Sequence, residues 1–266
     1  MTDTTGTLEY VTSRDGTTIA YDRLGEGTPV ILVSGGSVDR SSNAELASAL
    51  ADQFTVFNYD RRGRGPSGDT APYAVASEVE DIDAVIGAAG GSANLYGTSS
   101  GAALALEAAA SGLAITKLAL WEPPYIVGDS HPRPPANTAE IYTTMVSEGR
   151  RGDAAEYFMA KVVGMPPEFV AYARSQPWWA ATEALAHTLA YDATIMGDYT
   201  LPTERAAAVT VPTLVMDGGS SFGFMGETAQ ALADVLPDGQ RRTLEGQEHN
   251  VDSNVMAAAL KEFFGR

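Results

Sequence analysis

The chain contains no cysteine, which excludes disulfides, thiolate metal sites and a cysteine nucleophile together. Basic residues are scarce: 17 Lys and Arg stand against 34 Asp and Glu, a formal charge of -17. A surface so acidic repels phosphate backbones and anionic lipid, so nucleic acid and membrane are not expected partners, and a small-molecule substrate is. Long apolar stretches are missing too, since no run approaches the roughly 18 residues of a membrane span. The opening MTDTTGTLEY has neither a basic nor an apolar leader segment, and the expected location is the cytoplasm. There is no internal repeat, and nothing in the composition decides between a monomer and a homodimer. What remains is 266 residues, 44% hydrophobic and 19% charged, enough for a large core in one α/β domain with an insertion.

Two short runs, Leu8 to Thr12 and Thr17 to Asp22, flank the turn sequence SRDG and predict an antiparallel hairpin. Apolar runs without alternation follow at Val30–Val33, Phe54–Tyr59, Ala93–Tyr96, Lys117–Trp121 and Thr213–Met216, as expected of parallel strands buried on both faces. Helical stretches lie between them at Asn43–Ala51, Ala76–Ala89, Ser99–Ser111 and Glu227–Leu236, and a last strand near Gln240–Leu244 precedes a helix ending at Phe264. This alternation predicts an α/β fold with a doubly wound, mostly parallel sheet. Between Trp121 and Thr213 no strand is evident, and a structureless loop of that length is improbable. Residues 123–209 are therefore expected to form a helical lid inserted after the sixth strand, with the core made of 1–122 and 210–266. Most of the insertion's aromatics are expected to form the lid's own core.

GTSSG, from Gly97 to Gly101, fits G-x-S-x-G with Ser99 at its centre. The pattern alone is weak, but here it follows a buried strand and opens a helix, the turn that a nucleophile elbow requires. Glycines two residues on either side would let strand and helix approach without a Cβ clash. The N–H of Ser100, at the helix start, would face a developing oxyanion. A serine hydroxyl needs a base. Of the three histidines, His131 lies in a proline-rich loop and His187 in a lid helix, whereas His249 follows the last predicted strand. Serine, acid and histidine in that order match the α/β-hydrolase order.

The chain resembles the α/β-hydrolase fold superfamily over nearly its whole length, and within it small bacterial serine esterases and cofactor-free haloperoxidases. The matching stretches are LVSGGS, YDRRGRGPS (Tyr59 to Ser67), GTSSG, VPTLVMDGG, LEGQEHNV and the terminal FF. The resemblance implies a second oxyanion donor at the Gly36 N–H, although Ser34 stands where the family ordinarily has histidine. It assigns DRRGRG to a structural loop near the site, with Asp60 as its anchor, and it implies no metal or organic cofactor. The family's acid commonly falls in a Gly-x-x-Asp pattern after the penultimate strand, where this chain reads Gly218, Gly219, Ser220, Ser221. Two carboxylates can replace it: Glu122, after the preceding strand, and Asp217. Asp252 is expected near the start of the last helix instead.

The expected chemistry is acyl transfer on an ester or related bond of a small-to-medium, largely apolar substrate. Ser37, Trp178, Phe222, Phe224 and Met225 are the expected substrate contacts. A carbon–carbon bond hydrolase, lyase or cyclase of secondary metabolism on the same serine and histidine stays open, as does a ligand-binding protein on this scaffold.

Overall fold

The computed structural model describes residues 6–265. Eight strands form one sheet: β1 (Thr7–Thr12), β2 (Thr18–Leu24), β3 (Thr28–Val33), β4 (Phe54–Tyr59), β5 (Ala93–Thr98), β6 (Ile115–Trp121), β7 (Thr213–Gly218) and β8 (Gly239–Leu244). Their order is β1-β2-β4-β3-β5-β6-β7-β8. The first two pair antiparallel with each other, β2 pairs antiparallel with β4, and all pairs from β4 through β8 are parallel.

The apolar runs are continuous because both faces are covered. Val30 and Leu32 of β3 face a layer made by α1 (Ala44–Leu50) and α11 (Ser253–Phe264). Ile31 and Val33 face the opposite layer, made by α2 (Val75–Ala88), α3 (Ser100–Ala110) and α10 (Gly223–Val235). The residues alternate with a period of two, and the faces do not differ in polarity. Helix α10 begins at Gly223, earlier than the expected Glu227, and a short 3-10 turn over Arg40–Asn43 leads into α1. That turn is set by Asp39, whose side chain accepts the Ser41 N–H at 2.9 Å. Strand order reverses at β3, which has β4 on one side and β5 on the other, so a crevice opens beyond the carboxyl ends of β3 and β5.

Six helices come between β6 and β7: α4 (Thr138–Ser147), α5 (Arg151–Tyr157), α6 (Pro167–Arg174), α7 (Trp179–Ala184), α8 (Leu189–Met196) and α9 (Thr203–Ala207). A π-helical turn over Phe158–Val163 follows α5. Tyr142, Ala154, Ala186, Leu189 and Ala193 form the insertion's own small core. Helices α8 and α9 pack on α3, which places the insertion beside the crevice. Among the described residues no helix is long and apolar enough to cross a membrane.

Candidate active site

Ser99 lies between β5 and α3 with φ 55° and ψ -127°, a conformation that costs a non-glycine residue about 1–3 kcal/mol and persists only where its surroundings enforce it. The enforcement is visible. The Ser99 N–H donates to the Trp121 carbonyl at 2.8 Å, and the Ser99 carbonyl accepts the Ala102 N–H at 2.9 Å. A Cβ on Gly97 would lie 2.4 Å from the Gly101 carbonyl oxygen, and one on Gly101 would lie 2.3 Å from that of Ser34. Gly101→Ala is expected to destabilise the fold by about 1–3 kcal/mol through this overpacking, measured as the midpoint of denaturant unfolding; an unchanged midpoint would contradict the close approach.

His249 follows β8, in the loop before α11, and its carbonyl accepts the Trp121 indole N–H at 2.9 Å. Asp252 fixes the far end of that loop by capping α11, accepting the N–H groups of Asn254 and Val255. The His249 Nδ1 lies 2.6 Å from Glu122 Oε2. Glu122 follows β6, has φ 43°, and is wholly buried. Its Oε1 accepts the Gly218 N–H at 2.8 Å, and its Oε2 accepts the Ser221 hydroxyl at 2.9 Å. With these donors aimed at it the carboxylate is an acceptor, so the His249 Nδ1 carries the proton of the shared bond, and in the neutral ring the lone pair is at Nε2. Ser221 occupies the place where the resemblance put an acid, and its hydroxyl bonds Glu122 at the end of the neighbouring strand.

Asp217 is engaged elsewhere. It accepts from Arg241 Nε at 2.9 Å and Nη2 at 3.1 Å, and from the Thr243 hydroxyl. The structure thus joins His249 to Glu122 and gives Asp217 to the β7–β8 edge.

A cavity of about 740 Å³ opens between the sheet's carboxyl edge and the insertion. Gly36, Ser37, Ser99, Ser100, Trp178, Phe222, Phe224, Met225 and His249 all line it. Phe158, Phe169 and Tyr199 line it as well, and Phe169, Tyr172 and Trp178 are exposed. The expectation that the insertion's aromatics mostly form its own core is thereby corrected: Tyr142 and Trp179 pack within the insertion and Tyr199 joins the core it shares with the sheet, while several others face the cavity or solvent. These helices are short and partly wrap a hollow, so their apolar residues divide between two destinations. His131, dismissed as a loop residue, lines the cavity and stacks on Phe224 with ring centroids 4.4 Å apart.

DRRGRG proves to be a buried scaffold. Arg61 pairs with Glu78 and Asp192, Arg62 with Asp81 and Asp15, and Arg64 with Asp192. Asp60 accepts the Arg40 N–H at 2.7 Å and pairs with the Arg40 side chain. Asp192 is the partner that the sequence did not disclose. It belongs to α8, lines the cavity, and takes the Ser100 hydroxyl at 2.8 Å. Its one signal was a lone carboxylate within the apolar stretch LAYDATIM, which needs a partner if buried. Burial works to raise the Asp192 carboxyl pKa, but Arg64, Arg61 and Ser100 outweigh it and hold the value below the ordinary one. A depressed carboxyl contributes stability that is complete at neutral pH and is lost as pH falls through the folded-state value. Asp192→Asn is expected to flatten the fall in melting temperature below roughly pH 4, and an unaltered acid limb would contradict that contribution.

The comparisons agree with this architecture. The alpha/beta hydrolase family model matches residues 30–262. The chain therefore belongs to the alpha/beta hydrolase family. It is similar to an alpha/beta hydrolase from Sphaerobacter thermophilus DSM 20745, with 53% identity, TM-score 0.91, and coverage of 96% of this chain and 100% of that one. An esterase from Thermogutta terrifontis shares the fold at 22% identity and TM-score 0.75, covering 97% of this chain and 98% of that one. The uncharacterized hydrolase YraK of Bacillus subtilis (strain 168) is 32% identical over 111 residues, a match spanning 40% of this chain and 40% of that protein.

Proposed function

We propose that the chain is a serine hydrolase that cleaves an ester or related acyl bond through an acyl-enzyme. The observation that carries this reading is the 2.6 Å bond between His249 and the buried Glu122, in the same site as a serine held in a strained strand-to-helix turn. That bond favours catalysis over simple ligand binding, because a surface histidine with no base to become needs no buried carboxylate behind it.

Ser99 Oγ attacks the substrate carbonyl carbon while His249 Nε2 takes its proton. The imidazolium so formed is stabilised by Glu122. The N–H groups of Gly36 and Ser100 donate to the oxyanion of the tetrahedral intermediate. Collapse expels the alcohol, protonated by His249, and leaves the acyl group on Ser99. Water, deprotonated by His249, then attacks the acyl-enzyme carbonyl, and as the acyl–Oγ bond breaks His249 returns the proton to Ser99 Oγ and the acid is released.

The inserted helices act as the lid. The cavity has the size of sites that enclose a small organic molecule. Among the described residues its lining holds no lysine or arginine and includes the carboxylate of Glu45, the charge of Asp192 being met by Arg61 and Arg64, which favours neutral esters with apolar acyl or alcohol parts over anionic ones. The test is hydrolysis of p-nitrophenyl esters before and after treatment with a fluorophosphonate. Loss of turnover in step with one adduct on the Ser99 peptide supports the reading. A folded protein that neither hydrolyses the esters nor takes the label would sink it.

A further inference from the structure

Both expected oxyanion donors are gripped by one buried carboxylate of the insertion. Asp192 Oδ1 accepts the Ser100 hydroxyl at 2.8 Å, which orients the residue whose N–H is one donor. Both Asp192 oxygens lie 2.9 Å from Arg64 Nη2, and Oδ1 is 2.8 Å from Arg61 Nη1. Arg64 Nη1 in turn donates to the carbonyls of Gly35 and Val38. The Gly35 carbonyl and the Gly36 N–H belong to the same peptide unit. A guanidinium bonded to that carbonyl draws electron density from the amide and strengthens its N–H as a donor at the other end. The carboxylate is close to this peptide: Asp192 Oδ2 lies 3.1 Å from where a Cβ on Gly36 would be. Among the described residues Asp192 is the carboxylate that pairs with Arg64, and Arg64 is wholly enclosed.

We propose that Asp192 is a positioning residue for the oxyanion hole, through which seating of the α8 helix aligns both donors. It makes no contact with the reacting atoms. It acts on one donor through the Ser100 side chain and on the other through Arg64 and the Gly35–Gly36 peptide. An insertion displaced from the core would leave Arg64, which holds the Gly35 and Val38 carbonyls, without its counter-charge and the Ser100 hydroxyl without its acceptor, so both donors are in register only when α8 is seated. This inference rests on the serine-hydrolase reading.

The test compares Asp192→Asn, Ser100→Ala and a control, Asp69→Asn, on p-nitrophenyl acetate, with melting curves to confirm folding. Asp69 lies at the same α8 contact, accepting the Tyr191 hydroxyl at 2.8 Å, and asparagine keeps an acceptor for that hydroxyl, so the control leaves α8 seated and removes a charge with no bond to the oxyanion loop. Loss of a direct oxyanion donor costs about 10²–10³ in kcat, so an indirect loss through Asp192 is expected to cost roughly 10- to 100-fold, with KM nearly constant. Binding of a trifluoromethyl ketone, whose hemiketal oxygen occupies the oxyanion hole, is expected to weaken by the same factor. Ser100→Ala, which breaks a single bond of the network, should lose activity and inhibitor affinity together, less severely, and it decides the matter if Asp192→Asn does not fold. Asp69→Asn should stay within about twofold of the parent in kcat. Unchanged kcat in the folded variants, a rise in KM alone, or a fall in kcat without loss of inhibitor affinity overturns the proposal. A parent protein that neither turns over the ester nor is labelled at Ser99 overturns the serine-hydrolase reading instead.

Discussion

Replacing Ser99 with alanine is expected to lower kcat for an activated ester by roughly 10⁵–10⁶ while leaving the melting temperature unchanged or slightly raised. The size of the loss follows from the proposed mechanism. Without the hydroxyl no acyl-enzyme forms, and the oxyanion donors can assist only direct attack by water. The change in stability has the opposite sign because the strain at φ 55° does not depend on the hydroxyl, whereas alanine carries no polar group to desolvate in the elbow. His249→Ala should cost about as much as Ser99→Ala, and the double variant little more, since nucleophile and base act as one unit. Additive losses in the double variant, or a single loss below about a hundredfold, would contradict the assignment.

The second large effect separates the two carboxylates. Glu122→Gln is nearly isosteric, but it places an amide among three fixed partners. One orientation keeps a carbonyl oxygen on the Gly218 N–H and turns the amide N–H₂ toward His249 Nδ1, while the flipped one sets N–H against N–H at Gly218. The first orientation is the better satisfied, and it makes Nδ1 an acceptor and moves the ring proton to Nε2. A histidine in that tautomer cannot take the Ser99 proton, and kcat is expected to fall by about 10³–10⁴. Asp217→Asn breaks the ion pair between this buried carboxylate and the partly exposed Arg241, with no bond to His249, and should change kcat by about twofold at most. Equal small losses in the two variants would remove Glu122 from the machinery.

Much of this arrangement was legible before any coordinates. The sheet could be read because both of its faces are covered, which writes each strand as an unbroken apolar run such as VILV or TLVM. The elbow could be read because the close approaches at Gly97 and Gly101 leave room for no side chain, so its backbone geometry is spelled in glycine. The carboxylate that bonds His249 was harder, since two candidates stood at neighbouring strand ends, and spacing along the chain does not reveal which of them a histidine 127 or 32 residues away will meet. What separates them is lateral: the end of β7 turns the Gly218 N–H and Ser221 hydroxyl toward Glu122, and Arg241 of β8 draws Asp217 aside.

Asp192 was beyond reach for a related reason. Its partners Arg61 and Arg64 lie 131 and 128 residues earlier. The resemblance assigned DRRGRG to a structural loop without disclosing what its three arginines meet there, which the structure shows to be a carboxylate for each. The insertion's aromatics were misjudged because apolar periodicity marks a face turned from water without telling a packed core from the wall of a cavity.

The central claim is that Ser99, activated by a histidine held on Glu122, becomes acylated. The most direct measurement is mass spectrometry of the protein quenched in acid within its first turnovers of p-nitrophenyl acetate. An acetyl group on the Ser99 peptide, absent from Ser99→Ala and strongly reduced in Glu122→Gln, is the predicted result. Turnover with no acyl group on the protein, or with the group on another residue, would contradict it.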